Sequence, residues 1–355
     1  MSRLEKFSFY SLLALIIWLP LPLGSNRDWA WAIAEMWIAL QSLTLIIAYR
    51  GNIPFGLLKH YKCLLFGLAL FQVWVFFQTL SLPWEILTLF SSKSAEIYQL
   101  VDAPEGFISL DSRMTINSLF KGMAYTLFVL NAIFLVNSSQ RITQVVLMIV
   151  ISGTLQAFYA AMVVLLNIAE SPIFGFVEKG IATGSFVYKN HLANYLMMAL
   201  CMGLGLIVTQ LHTSRSSSRF EFIKRLLDGI LSRKMYIRLC LVIMVIALVM
   251  TRSRMGNTAF FAATAIGGLI ALIFYKNKPR ALTVLVGSII AIDTIVVGTL
   301  FGLEKVKQRL VETSFMAESR DQVVLWSLDI IRDFPLTGTG MASFIRFFLC
   351  IPKLT

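Results

Sequence analysis

Long apolar runs separated by short polar connections dominate this sequence. A run of about 20 apolar residues is long enough to cross a bilayer as a helix, and nine runs approach that length. They predict helices over residues 7–23, 29–48, 62–81, 118–137, 142–167, 188–210, 236–251, 255–275 and 281–302. The pattern therefore predicts an all-α fold, a polytopic membrane helix bundle of about nine transmembrane helices.

Composition supports the membrane class and excludes several kinds of site. Hydrophobic residues make up 57% of the chain and charged residues only 14%, whereas soluble domains carry about a quarter. The net charge of +12 is scattered between apolar runs, so no nucleic-acid partner is expected. The four cysteines show no metal or disulfide spacing, and neither a metal site nor a cofactor is predicted.

The distribution of Lys and Arg predicts the topology. Connections rich in Lys and Arg alternate with mixed or acidic ones, and the positive-inside rule places the basic side in the cytoplasm. The N-terminus is then cytoplasmic and the C-terminus lies outside. We predict a transmembrane domain over 1–302 with outside loops 82–117 and 168–187, and an outside segment over 303–355. The basic, Ser-rich cytoplasmic loop 211–238 is suited to anionic membrane lipids.

Two arginines occupy a tight turn between apolar runs. Residues 251–254, Thr-Arg-Ser-Arg, separate the runs 239–250 and 259–274, which together are too long for one span. The predicted topology places this arginine turn outside, where membrane proteins normally avoid Lys and Arg. Arg252 and Arg254 are therefore candidates for binding an anionic ligand.

A polar stretch leads into the sixth predicted helix. Asn190 and Asn194 are four residues apart and His191 lies three before Asn194, so the three share one helical flank. Lys189 stands at the same helix start, where anions are favoured. The alternative for these residues is hydrogen bonding between helices, since Asn and His often serve that purpose in membrane bundles.

A third stretch lies in the outside segment. Ser319 and Gln322 form a capping-box pattern, which places Arg320 in the first turn of a helix that Pro335 and two glycines end. Pairing with Glu318 or Asp321 is the alternative for Arg320. The topology brings Lys189, Asn190, Arg254 and Arg320 to one membrane face. Arg and Lys together suit a diphosphate at the lipid boundary.

These stretches, in this order, resemble the O-antigen ligase and polymerase family of bacterial inner membranes. The resemblance covers roughly residues 180–345. The residues that carry it are Thr183, Gly184, Ser185, Phe186, Asn190, His191 and Ala193; Ser253 and Arg254; and Arg320, Trp326, Asp333, Pro335, Gly338 and Gly340.

The resemblance implies a metal-independent glycosyl transfer at the periplasmic face. The donor would be a glycan on undecaprenyl diphosphate, and the acceptor lipid A–core in a ligase or a nascent polysaccharide in a polymerase. Arg254 and Arg320 would be catalytic, because they would bind the diphosphate and stabilise its growing charge. The predicted substrate-binding residues are Lys189, Asn190, His191, Asn194 and Arg252.

The sequence departs from the family pattern near its end. Family ligases use a histidine in the large outside loop, proposed as the general base, and further membrane helices follow it. None of His60, His191 and His212 matches that motif. The expectation is a C-terminally truncated family member with impaired activity.

Two other classes of function remain open. A transporter or flippase for lipid-linked saccharides would use the same arginines, and Asp293 within the ninth apolar run would be its candidate intramembrane charge. A structural or assembly protein would bind no substrate.

Overall fold

The computed structural model describes residues 3–50, 54–173, 175, 180–209, 233–274, 287 and 323–344. Nearly all regular structure within these ranges is helical, and the described strands are two residues long. The all-α membrane bundle class is thus confirmed, while nine spans stay a prediction.

The helices, in chain order, are α1 Arg3–Trp18, α2 Asp28–Tyr49, α3 Phe55–His60, α4 Lys62–Phe77, α5 Trp84–Phe90, α6 Ser92–Leu100, α7 Ser112–Leu135, α8 Ser139–Leu165, α9 Lys189–Thr209, α10 Arg233–Met250 and α11 Arg254–Phe274. A last helix, α12, is described over 323–333. Strands β1 Ser81–Leu82 and β2 Gly106–Phe107 pair antiparallel.

Eight of the nine predicted spans have a described helix in their place. Among the described residues, five helices are long and apolar enough to cross a membrane, whereas α4 and the apolar part of α10 are shorter. The ninth predicted span, 281–302, lies outside the described residues apart from Gly287. The five long apolar segments are Asp28–Tyr49, Ser112–Leu135, Ser139–Leu165, Lys189–Thr209 and Met255–Phe274.

Two predicted boundaries differ from the structure for identifiable reasons. Helix α1 ends at Trp18 rather than at residue 23, because Pro20 and Pro22 lack the amide hydrogen that a continuing helix requires. Helix α7 begins at Ser112, six residues before its predicted start. There the Asp111 carboxylate accepts a hydrogen bond from the Met114 amide at 3.1 Å, which caps the helix start.

The chain divides into two compact units, of residues 1–37 with 135–302 and of residues 38–134 with 303–355. In the first unit, α8, α9 and α10 pack around a buried apolar cluster. Small residues permit this approach. A Cβ atom on Gly153 would lie 2.8 Å from Met244 Sδ and 2.9 Å from Ala199 Cβ. Such close contacts are typical of helices that associate within a membrane.

A buried ion pair joins α1 to the start of α8 in the same unit. Arg141 Nη2 donates to Glu5 Oε1 at 3.1 Å, and Arg141 Nη1 donates to the Leu135 carbonyl. The guanidinium carbon also lies 5.0 Å from the centre of the Phe9 ring. These contacts hold the N-terminal end of α1 beside the N-terminal end of α8.

The second unit contains the β1–β2 pair and the short helices α5 and α6. Leu87, Ala95 and Ile108 form its small buried cluster. Helices α5 and α6 lie between the two strands in the sequence.

Candidate functional site

The arginine turn has a fixed backbone. Thr251 Oγ1 donates to the Leu248 carbonyl at 2.6 Å and accepts from the Ser253 amide at 3.2 Å. Ser253 Oγ in turn accepts from the Gly256 amide at 3.3 Å, which caps the start of α11. Between them, Arg252 is exposed and adopts a φ of +48°, so an arginine occupies a backbone conformation that favours glycine.

The segment of residues 182–190, here called the lead-in segment, docks directly on this turn. Ser253 Oγ donates to Asn190 Oδ1 at 2.9 Å, and the Ala182 amide donates to the Met250 carbonyl at 3.2 Å. One turn further into α11, a Cβ atom on Gly256 would lie 2.6 Å from Ala193 Cβ. The starts of α9 and α11 therefore meet at one end of the bundle.

Most of the predicted binding residues of the first unit lie where the starts of α9 and α11 meet. Lys189 is the first residue of α9 and is partly exposed, and Asn190 follows it. His191 is exposed, with its ring centre 5.6 Å from that of Tyr188, and Asn194 is exposed one turn beyond Asn190.

Three predicted residues are not described at the side-chain level. Arg254 is the first residue of α11, and its position in the backbone is all that is described. Arg320 and Asp293 lie outside the described residues. The predicted convergence of Arg320 with Arg254 therefore stays a prediction.

Asn190 makes a contact between helices, which is the alternative that the sequence offered for it. Its side-chain oxygen accepts from Ser253, so the residue supports the cap of α11. The same amide still carries two N–H donors at an exposed position. It combines a contact between helices with a donor group for a ligand, and the two interpretations offered for it are compatible.

A buried polar network anchors the lead-in segment on its other side. Ser185 Oγ donates to the Pro20 carbonyl at 2.6 Å, and the Ser185 amide donates to Gln156 Oε1 at 3.0 Å. Gly184, at a φ of +62°, has no room for a side chain beside Gln156 and Leu192. Sequence reasoning missed Gln156, although a glutamine within an apolar run signals a buried hydrogen bond.

An apolar cleft of about 320 Å³ lies beside this network. Ile16, Leu19 and Pro20 form one wall, and Phe186 and Tyr195 form another. The Phe186 and Tyr195 ring centres are 5.6 Å apart, and the Tyr195 hydroxyl donates to Ser152 Oγ at 2.8 Å. The hydrogen bonds of Ser185, next to Phe186, and of Tyr195 thus hold this wall in place.

In the second unit, the glycine-rich stretch after α12 is also docked. We call residues 335–343 the tail turn, and Gln78 with residues 108–115 the platform. Gln78 Nε2 donates to the Thr337 carbonyl at 3.0 Å, and the Leu110 amide donates to the Thr339 carbonyl at 2.9 Å. Pro335, Gly338 and Gly340 of the third motif therefore belong to a packed structure.

The platform is itself held by buried polar contacts. The Tyr98 hydroxyl donates to the Ser109 carbonyl at 2.7 Å, and Ser109 Oγ lies 2.7 Å from Thr115 Oγ1. Burial raises the pKa of Tyr98 above its ordinary value, because an ionised phenolate would lose hydration. Burial thus favours the protonated phenol, which is the form that donates to Ser109.

Across the ranges that the structure describes, no group of three His, Cys, Asp or Glu side chains could hold a metal ion. The polar groups brought together are amide, hydroxyl, ammonium and guanidinium groups. Such groups can bind an anion and stabilise negative charge.

Comparisons with known proteins bear on the C-terminal region. No curated protein and no solved structure matches this chain. A family model described as O-antigen ligase matches residues 239–351, about a third of the chain. This range includes the arginine turn, Arg320 and the tail turn, whereas the lead-in segment precedes it. The resemblance to the O-antigen ligase family is thereby confirmed over residues 239–351.

Proposed function

We propose that the protein is a membrane glycosyltransferase of the O-antigen ligase type. It takes a glycan from undecaprenyl diphosphate and transfers it to lipid A–core at the periplasmic face of the bacterial inner membrane. Lys189, Asn190, Arg252 and Arg254 hold the diphosphate, and the family resemblance implies Arg320 as a further candidate arginine.

The docking of the lead-in segment on the arginine turn carries this proposal. The Ser253–Asn190 hydrogen bond joins residues 63 positions apart. It sets a partly exposed ammonium and an exposed guanidinium at the starts of two helices. Helix N-termini carry partial positive charge, so four sources of positive potential share one end of the bundle.

These groups suit the chemistry of glycosyl transfer from a diphosphate. The acceptor hydroxyl attacks the anomeric carbon, the bond from that carbon to the diphosphate oxygen breaks, and the hydroxyl proton is released to solvent. Negative charge accumulates on the departing diphosphate. Fixed guanidinium groups stabilise that charge more in the transition state than in the bound donor, and this difference lowers the barrier.

The apolar cleft supports a lipid-linked donor. It lies against α9, whose first residue is Lys189, and its lining is apolar apart from the satisfied Tyr195 hydroxyl. Clefts of this size and lining between helices are typical ligand sites. A lipid with its diphosphate above the start of α9 can place part of its chain there.

Binding of undecaprenyl diphosphate to the full chain in nanodiscs tests the proposal. Replacing Arg254 by Ala removes charge-assisted hydrogen bonds worth about 1.5–3 kcal/mol, so affinity should fall by about tenfold or more. Arg254→Lys keeps the charge but loses the bidentate fork, and we expect an intermediate loss.

Arg332→Ala is the matched control, because Arg332 is an exposed arginine on α12 that pairs with Asp329 at 3.3 Å. It should bind the lipid as the unsubstituted chain does. Equal affinity of the unsubstituted chain and Arg254→Ala, or no binding by either, would contradict the proposed function.

A further inference from the structure

Gln156 is a buried amide on α8 whose polar atoms contact two other parts of the first unit. Its Oε1 accepts from the Ser185 amide at 3.0 Å, and its Nε2 donates to the Pro20 carbonyl at 3.4 Å. Pro20 belongs to the chain segment of residues 19–25 that follows α1, here called the proline turn. A single side chain therefore connects α8, the proline turn and the lead-in segment.

The Ser185 amide depends on Gln156 more than the proline turn does. The Pro20 carbonyl also accepts from Ser185 Oγ at 2.6 Å and from the Gly24 amide at 3.1 Å, so it stays paired without Gln156. Ser185 is 3% exposed, and the Gln156 oxygen is the described acceptor of its amide. Loss of that oxygen would leave a buried donor unpaired, which is costly, and the lead-in segment would have to move to reach another partner.

Two close approaches restrict where the lead-in segment can lie. A Cβ atom on Gly184 would lie 2.9 Å from Gln156 Oε1, so the backbone there packs directly on the amide. On the other side, a Cβ atom on Gly24 would lie 2.5 Å from Phe186 Cδ1. The segment is therefore held between α8 and the proline turn, and its position is specific.

The held segment continues directly into the start of α9. Three residues separate Ser185 from Lys189, the first residue of that helix. Asn190 follows and accepts from Ser253 Oγ of the arginine turn at 2.9 Å. The position of Ser185 thus limits the positions that the first turn of α9 can take.

We infer that Gln156 is a positioning residue for donor binding, which acts by holding the Ser185 amide and thereby Lys189 and Asn190 at the diphosphate site. This inference rests on the proposed function. Gln156 lies outside residues 239–351 that match the family model, so the role comes from the contacts alone. A segment that is already fixed loses less freedom when it binds an anion, and small displacements of binding groups are costly.

The test measures binding of undecaprenyl diphosphate to the full chain in nanodiscs. Gln156→Met keeps the length of the side chain but removes its hydrogen bonds, and we expect affinity to fall about tenfold. Gln144→Met is the matched control, because it makes the same substitution at a partly buried position of α8 about 18 Å away along the helix axis. It should leave binding unchanged.

A double substitution separates positioning from general destabilisation. In a Lys189→Ala background the ammonium that Gln156 positions is already absent, so Gln156→Met should cost about threefold or less. Ser185→Ala removes the hydroxyl but keeps the amide bond to Gln156, and we expect a loss of about twofold at most.

Placement of the lead-in segment is measured without the lipid by hydrogen–deuterium exchange over residues 182–190. The bonded, buried Ser185 amide should exchange slowly in the unsubstituted chain and faster in Gln156→Met. If Gln156→Met does not fold, Gln156→Ala takes its place, since a water molecule can fill the space and pair with the Ser185 amide. We then expect faster exchange and a loss of affinity of about threefold.

The possible outcomes separate this inference from the proposed function. If the unsubstituted chain does not bind undecaprenyl diphosphate, the proposed function fails and this inference fails with it. If the chain binds and the Gln156 variant exchanges faster yet binds equally well, only the inference is overturned. Unchanged exchange in the Gln156 variant also overturns it, as does an equal loss of affinity with and without Lys189, because Gln156 would then act on stability alone.

Discussion

The arginine turn and the tail turn are both polar turns docked on a distant segment, yet they use their polar groups differently. At the arginine turn, Ser253 and Asn190 satisfy each other while Arg252 and Lys189 keep solvent-accessible charge. At the tail turn, the side chains of Gln78 and Thr115 form hydrogen bonds to backbone groups of the turn. The first arrangement leaves cationic groups available to a ligand, and the second holds a segment in place.

Both turns contain positive-φ residues: Arg252 in the arginine turn, and Gly338, Gly340 and Ala342 in the tail turn. The arginine turn places Arg252 at a φ of +48°, where a non-glycine residue costs roughly 1–2 kcal/mol. The tail turn places Gly340 at a φ of +101° against Ser109. Gly340 is required by the lack of space beside Ser109, whereas Arg252 and Ala342 each keep a side chain at positive φ.

The largest effect is expected from Gly340→Ala, with Gly338→Ala as its control. Both glycines have positive φ, but an added Cβ atom at Gly338 meets nothing within 4 Å. Gly338→Ala should destabilise the tail turn by about 1 kcal/mol from backbone strain alone. Gly340→Ala adds a collision with the platform and should cost about 3 kcal/mol or more. Maleimide labelling of Ser343→Cys measures the opening, and similar rates for both variants would show that the fit to Ser109 is loose.

A smaller effect is expected where α11 meets α9. Gly256 and Gly267 both lie on α11, and a Cβ atom at Gly256 would lie 2.6 Å from Ala193 Cβ, whereas at Gly267 it meets nothing within 4 Å. Gly256→Ala should destabilise by about 1–3 kcal/mol, and Gly267→Ala should be neutral or stabilise the helix by about 0.5–1 kcal/mol. Thermal unfolding in detergent distinguishes them. A stabilised Gly256→Ala would mean that the two helices are not in close contact.

The smallest effect concerns the platform at high pH. Burial raises the pKa of Tyr98, so the folded platform holds the phenol proton more tightly than the unfolded chain does. The associated stability is complete below about pH 10, the ordinary pKa of tyrosine, and is lost as pH rises through the folded value. Labelling of Ser343→Cys should therefore accelerate above pH 10. Tyr98→Phe should abolish that pH dependence, and Tyr125→Phe, which removes an exposed phenol, should retain it.

The sequence predicted the helices well because hydropathy reports directly on membrane spans. Eight predicted spans correspond to described helices, and the larger boundary errors lie where proline or a capping aspartate overrides hydropathy. Topology also placed the lead-in segment and the arginine turn on the same face, and the structure joins them. The roles of Lys189, Asn190, His191, Asn194, Arg252, Arg254 and Arg320 stay predictions.

The pairing of the tail turn with the platform could not be predicted in this way. Gln78 and Thr337 are 259 residues apart, and neither forms a recognisable motif with the other. Gln78 falls within the predicted span 62–81, and a glutamine there signals a buried hydrogen bond without identifying its partner. Only their three-dimensional contacts distinguish Gln78, which is buried and bonded at both ends, from Gln72 one and a half turns earlier.

The Arg141–Glu5 ion pair also bears on how the protein is made. Positive charges direct the orientation of helices while they enter the bilayer, whereas acidic residues contribute little at that stage. In the predicted topology Arg141 is one of the cytoplasmic positive charges, and in the folded chain it pairs with Glu5 between α1 and α8. A Glu5→Gln variant should therefore insert normally yet assemble less stably, because only the ion pair is lost.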